Sequence, residues 1–161
     1  MKHNLYVMCG VPGSGKSTYA NKQPDSIVIS RDEIRFSLVS EDEEYFSKET
    51  KVFWEFIAQI QAALDTPGTP KNIYCDATHI TRNSRNKLFH ALNLTNADNI
   101  VVVVVMPSLE EALRRNSQRE GRRKVPEDVV RKMYSQFQRP EYDEPRIFDT
   151  LYVEVPCQKM E

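Results

Sequence analysis

Apolar runs of strand length alternate with segments whose apolar residues recur at helical spacing, and this alternation sets the expected architecture. The runs at 4–9, 26–29, 72–76, 100–106 and 150–155 read as strands. Val101 to Val105 is wholly β-branched and shows no polar alternation, the pattern of a central parallel strand covered on both faces. Between the runs lie helical periods. In the longest, over 43–64, Phe53, Phe56, Ile57, Ile60 and Leu64 fall on one stripe, which reads as core rather than as a ligand pocket. Leu88, Phe89 and Leu92 repeat the spacing after Thr81. Ser108 with Glu111 makes a capping box, Pro126 with Glu127 and Asp128 a first helical turn, and 66–70 a plain loop. Strand and helix alternating in this way predict an α/β fold: a five-stranded parallel sheet with helices on both faces. Ligands in such sheets bind beyond the carboxyl ends of the strands.

The segment after the first strand changes the picture most. Gly10-Val-Pro12-Gly13-Ser14-Gly15-Lys16-Ser17-Thr18 fits the Walker A pattern G-x-x-x-x-G-K-[ST], between a strand and a segment able to open a helix. Its glycines let successive backbone N–H groups turn inward on the phosphates of a nucleotide. Lys16 brings a positive charge to the β- and γ-phosphates, and Ser17 offers a hydroxyl to Mg²⁺. The N-terminus of the following helix adds partial positive charge. This loop makes a nucleoside triphosphate the expected ligand and the P-loop NTPase fold the expected class.

Two further strand ends join it on the same edge. Ser30-Arg-Asp32-Glu33-Ile-Arg35 follows the second strand. Asp32 is a candidate base for an acceptor hydroxyl, and Arg35, one helical turn on, a candidate holder of an anionic group. Spacing alone equally allows a solvated helix start. Glu33 is a rival base, but its side chain projects about 100° away from that of Asp32 around a helix. Asp76 ends an apolar strand, where a carboxylate suits Mg²⁺ through water, a substrate arginine, or the cap of the following turn. His79 reads as a solvated loop histidine with no metal-ligand spacing.

Composition narrows the partners without choosing one. With 161 residues and a net charge of −1, the chain fits one domain, 1–161, and any nucleic-acid contact must use a local basic patch. The most basic segment, Arg114-Arg115-Asn-Ser-Gln-Arg119-Glu-Gly-Arg-Arg-Lys124, breaks at Gly121 before Pro126 restarts a helix, and cations in a last helical turn are also commonly solvated. Two helices joined by this basic hinge, about 114–126, form a candidate lid, with Arg119 placed to meet the transferring phosphates. The three cysteines, Cys9, Cys75 and Cys157, lack ligand spacing and point to a reduced, cytoplasmic setting. No apolar span reaches membrane length, so a membrane partner is not expected.

Together, the Walker loop, Ser30-Arg-Asp-Glu-Ile-Arg35, Cys75-Asp-Ala-Thr78, Arg114-Arg-Asn-Ser-Gln-Arg119 and Val125 to Tyr134 resemble the kinase domain of phage and bacterial polynucleotide 5′-kinases. The similarity runs in order from about residue 4 to 140. It implies ATP and Mg²⁺ at Lys16 and Ser17, and Asp32 as the base that activates a 5′-hydroxyl of DNA or RNA. Arg35 would hold the phosphate on the 3′ side of the terminal nucleoside, Asp76 would support the site, Arg119 would engage the transferring phosphates, and Arg115 matches a lid arginine near the nucleotide. The best-known members carry a phosphatase or ligase domain on the same chain, and none is expected within these residues. Related P-loop kinases act on nucleosides, modified bases and sugars, so a small-molecule acceptor is the alternative.

Overall fold

The computed structural model describes residues 2–68 and 70–155, which leaves Cys157 outside the described residues. Five parallel strands, β1 (His3–Cys9), β2 (Ser26–Ser30), β3 (Asn72–Asp76), β4 (Ala97–Val104) and β5 (Asp149–Tyr152), form one sheet in the order β2-β3-β1-β4-β5. β1 is central, and the chain's path reverses around it, so the crevice at its carboxyl end is the expected ligand position.

Pleating divides the core between the two faces. Leu5, Val7 and Cys9 point to one side of β1, Tyr6 and Met8 to the other. The first face carries α2 (Arg31–Leu38), α3 (Glu49–Asp65) and α4 (Arg82–Ala91), and receives the expected stripe Phe53, Phe56, Ile57, Ile60, Leu64 with Leu88 and Phe89. The second face receives α1 (Lys16–Asn21) through Ala20 and stacks Tyr6 on Tyr74. A third, smaller cluster joins Val11, Ile80, Ala112 and Val130. It fastens α5 (Leu109–Ser117) and α6 (Glu127–Gln136), with a 3₁₀ turn at Gly121–Arg123 between them, near the phosphate loop. These three pieces are the helical lid.

Differences from expectation have local causes. The helix expected over 43–64 begins only at Glu49. Ser40 Oγ donates to Asp42 and Glu43, and Lys48 Nζ donates to the Leu38 carbonyl, so local side-chain bonds outcompete helix over 40–48. β4 starts in polar sequence, at Ala97 rather than Ile100. Its Asn99 joins a ladder in which Asn99 Nδ2 donates to Asn4 and Asn4 Nδ2 donates to Asn72, satisfying amides that sequence alone reads as loop. The cap expected at Ser108 is present, its Oγ accepting from the Glu111 N–H, and Thr81 with Ser84 makes a further, full capping box. Among the described residues, no helix is long and apolar enough to cross a membrane.

Candidate active site

The phosphate loop occupies the central crevice, and its glycines answer to distinct constraints. A Cβ on Gly10 would lie 2.4 Å from the Val105 carbonyl oxygen. Gly15 takes φ +96° to turn the chain into α1, a backbone conformation that other residues adopt only under strain. Lys16, nearly buried, has no carboxylate partner among the described residues. Its charge is therefore available to an anion in the crevice.

Beside it, Ser17 Oγ donates to Asp76 Oδ2 at 2.6 Å, which joins the first turn of α1 to the end of β3. The second oxygen of Asp76 is buried without a hydrogen-bond partner, and so is the hydroxyl of Ser14 in the loop. Buried polar atoms are ordinarily paired, so these two oxygens are open to polar groups of a ligand. Hydroxyl and carboxylate oxygens suit Mg²⁺, which typically takes one or two protein ligands and completes its shell with phosphate and water. The donor set fits that ion.

Two cavities meet here. One, of about 180 Å³, is lined by Gly13, Gly15, Ser17, Thr18 and Arg115. The other, of about 230 Å³, is lined by Pro12, Asp32, Arg35 and Asp76 with Tyr45 and Glu49. Lys16 and Arg119 line both. Both residues thus border the phosphate-loop cavity and a second cavity in which Asp32, Glu49 and Asp76 lie among Arg31, Arg35 and Arg123.

Within the second cavity the start of α2 is tightly wired. Ser30 caps α2 by accepting from the Glu33 N–H, and the first turn then presents Asp32 toward the cleft. Arg35 is buried; its Nε and Nη2 donate to Glu49 at 2.6 and 3.0 Å, and its Nη1 donates to Asp32 Oδ1 at 2.6 Å and to the Tyr45 hydroxyl at 3.4 Å. Burial alone would depress the Arg35 guanidinium, but the Glu49 bonds and charge outweigh it and hold it above its ordinary value. Four of its N–H groups are thereby engaged, leaving one for a further acceptor. Tyr45 and Phe46 cover the guanidinium face at 5.0 and 5.4 Å. Asp32 remains about half-exposed, and both of its bonds fall on Oδ1. Glu33 turns away to Arg123, as the helical spacing requires.

The basic segment divides by role. Glu111 holds Arg114 and Arg115, and Arg115 Nη1 also donates to the Ser14 carbonyl at 3.3 Å. Arg119 has no carboxylate partner among the described residues. Arg122 donates to the Val39 carbonyl, and Arg122 and Arg123 flank the Phe36 ring at 4.9 and 5.1 Å. The lid thus rests on α2.

One reading needs correction. His79 is buried, not solvated: its Nδ1–H donates to the Met8 carbonyl at 2.9 Å, and its backbone takes φ +41°. Burial, aided by the charges of Arg31, Arg85 and Lys16, pushes its pKa down to about 4, so it is neutral at pH 7. Sequence reasoning also missed Arg85 and Glu144, a fully buried pair joined by two bonds of 2.9 and 3.0 Å. Arg85 donates further to the carbonyls of His79 and Gln138, tying the loop after β3 to the chain before β5. A basic residue at the inward spacing of α4, three before Leu88, was the available signal. Burial pushes the Cys9 thiol up to about 11 and raises that of Cys75, which leaves both as uncharged core groups.

Sheet order, phosphate loop and lid define a P-loop nucleotide-binding domain of the kinase type. The chain belongs to the family described as AAA domain, whose sequence profile matches residues 5–140. Solved structures share the fold at low identity. A chain of the Pnkp1/Rnl/Hen1 RNA repair complex aligns with TM-score 0.69 at 23% identity, over 84% of this chain and 44% of its own. A fungal RNA kinase aligns with TM-score 0.65 at 13% identity, over 96% of this chain and 39% of its own. A sugar kinase from Janibacter sp. HTCC2649 aligns with TM-score 0.61 at 18% identity, over 94% of this chain and 84% of its own. The chain therefore spans less than half the length of the two RNA-related chains.

Proposed function

We propose that this protein is an ATP-dependent polynucleotide 5′-hydroxyl kinase. The observation that carries the reading is the shared lining of the two cavities: Lys16 and Arg119 stand where a phosphoryl group would pass from the loop side to the side of Asp32. A switch or a binding module needs no acceptor cleft with a carboxylate at its edge. Asp32 takes the proton of the 5′-hydroxyl as that oxygen bonds to the γ-phosphorus, and the bond to the β-phosphate bridging oxygen breaks to release ADP. Arg35 fixes the Asp32 carboxylate through Oδ1 and turns its remaining N–H to the phosphate 3′ of the terminal nucleoside. Lys16 and Arg119 stabilise the equatorial charge of the transferring group. The loop from Gly10 through Pro12 to Thr18 binds the triphosphate, and Arg115 closes over it. Ser17 and Asp76 would hold Mg²⁺, which when bound would supply positive charge to the phosphates.

A small-molecule acceptor is the second reading, favoured by the modest size of the acceptor cavity and by the fold shared with a sugar kinase. Incubation with γ-labelled ATP and 5′-hydroxyl DNA and RNA oligonucleotides, beside nucleosides and sugars, separates the two. Label on oligonucleotides is expected. Label confined to nucleosides or sugars would overturn the polynucleotide reading.

A further inference from the structure

Along α3, one turn beyond Glu49, lies a surface that the mechanism does not use. Phe53 is nearly buried there, with two cations against its ring: Arg31 Cζ at 5.6 Å and Lys87 Nζ, from α4, at 4.4 Å. Trp54 meets Phe53 edge to face at 5.1 Å and is 56% exposed. The indole is thus held at one edge by Phe53 and leaves more than half of the residue open to a ligand.

The charges around it are mixed but mostly basic: Glu55 follows Trp54 on α3 and accepts from Gln59, and Glu49 accepts from Arg31 and Arg35. Arg31 lines the acceptor cavity; its Nη2 donates to Glu49 at 3.2 Å, while its Nε is buried without a partner. Lys87 is exposed and has no carboxylate partner among the described residues, and neither has Lys51, one helical turn before Trp54 on α3. The ten residues of α4 include no Asp or Glu. A chain of net charge −1 thus sets several cations near an exposed indole, and Arg31 is shared between this surface and the acceptor cavity.

We propose that Trp54, with Lys87 and Arg31, forms a track for single-stranded nucleic acid, on which a nucleotide downstream of the reacting 5′ end stacks its base against the indole. Alternating cations and an aromatic platform are what a strand with a charged backbone and π-faced bases requires, whatever its sequence. Arg31 bridges the cavity and the platform, so the strand leaves the site past its guanidinium. The inference rests on the polynucleotide reading and extends it from the terminal nucleoside to the strand behind it.

Trp54 is the single tryptophan of the chain, so its fluorescence reports on the platform directly. Titration with oligothymidylate and oligouridylate of about ten nucleotides is expected to quench it, while inorganic polyphosphate, which has charge but no base, is expected not to. In kinase assays, Trp54→Ala should lower the preference for the long oligonucleotide over a nucleoside 3′-phosphate by about 5- to 150-fold, the range for losing one stacked base. Trp54→Phe should recover most of that preference. Lys87→Ala should reduce the salt dependence of oligonucleotide binding by about one phosphate contact. If oligonucleotides are phosphorylated but Trp54 fluorescence ignores them and Trp54→Ala keeps the preference, the track is overturned while the kinase reading stands, and the indole face is left to a protein partner. Equal quenching by polyphosphate would overturn the stacking role. If no oligonucleotide is phosphorylated or bound, both readings fall.

Discussion

Asp32 illustrates how little of a side chain's job resides in its own chemistry. It is a half-exposed carboxylate in the first turn of a capped helix, and thousands of such residues are solvated. What sets this one apart is that Arg35 grips a single oxygen at 2.6 Å while Glu49 and Tyr45 fix Arg35 in turn. Asp32→Asn keeps the shape and removes the basicity. It is expected to leave ATP affinity nearly unchanged and to lower turnover by about 10²-fold or more, the usual scale for losing a positioned base. Turnover in single-turnover assays close to that of the unaltered protein would show that the proton goes elsewhere. Arg35 itself is poorly suited to the converse experiment. Truncating it would leave Glu49 and Asp32 without their cation, mixing structural damage with loss of an acceptor contact.

At the scale of elements, the lid and α2 are coupled through one ring. Arg122 and Arg123 flank Phe36, and Arg123 pairs with Glu33, so the lid is held by the same helix that presents Asp32. Two contacts of this kind contribute about 1–2 kcal/mol at a partly exposed site, enough to shift an open–closed balance by roughly 5- to 30-fold. Phe36→Ala should therefore speed tryptic cleavage after Arg122, Arg123 and Lys124 by about that factor, read from the half-life of the intact band. An unchanged half-life would mean that Phe36 does not hold the lid. Much of this level was readable beforehand: strand positions, the α3 stripe and the hinge at Gly121 follow from periodicity and punctuation. The docking of the hinge on α2 was not. Arg122 and Val39 are far apart in sequence, and no local pattern encodes their approach.

For the whole molecule, His79 makes stability depend on acid. In the unfolded chain it takes up a proton near pH 6.5, whereas the folded chain excludes one until about pH 4. Between those values the unfolded state binds more protons, so stability is full above pH 6.5 and declines as pH falls through the window. The shift corresponds to about 3 kcal/mol over that range. Urea unfolding at pH 7 and near pH 4.5 should register most of this loss. His79→Asn, which tolerates the positive φ, should lose that part of the pH dependence. An identical pH dependence in the variant would assign the acid sensitivity to carboxylates such as Glu144. Burial pushes that carboxyl upward, but Arg85 outweighs it and holds it below its ordinary range.

The phosphate loop, the strands and the helix that opens at Arg31 were fixed in kind by short-range rules, because glycine freedom, β-branching and capping act over a few residues. Nucleotide chemistry and fold class follow from those rules, which is why they could be read from the chain directly. Which charges are spent and which are free was decided only when distant segments met. Arg35 is committed to Glu49 and Asp32, Arg85 to Glu144, and His79 lies in the core, while among the described residues Lys16 and Arg119 have no carboxylate partner and line both cavities. The reason is electrostatic. A charge costs free energy according to its burial and its neighbours, and both are properties of the packed molecule that no stretch of sequence carries alone.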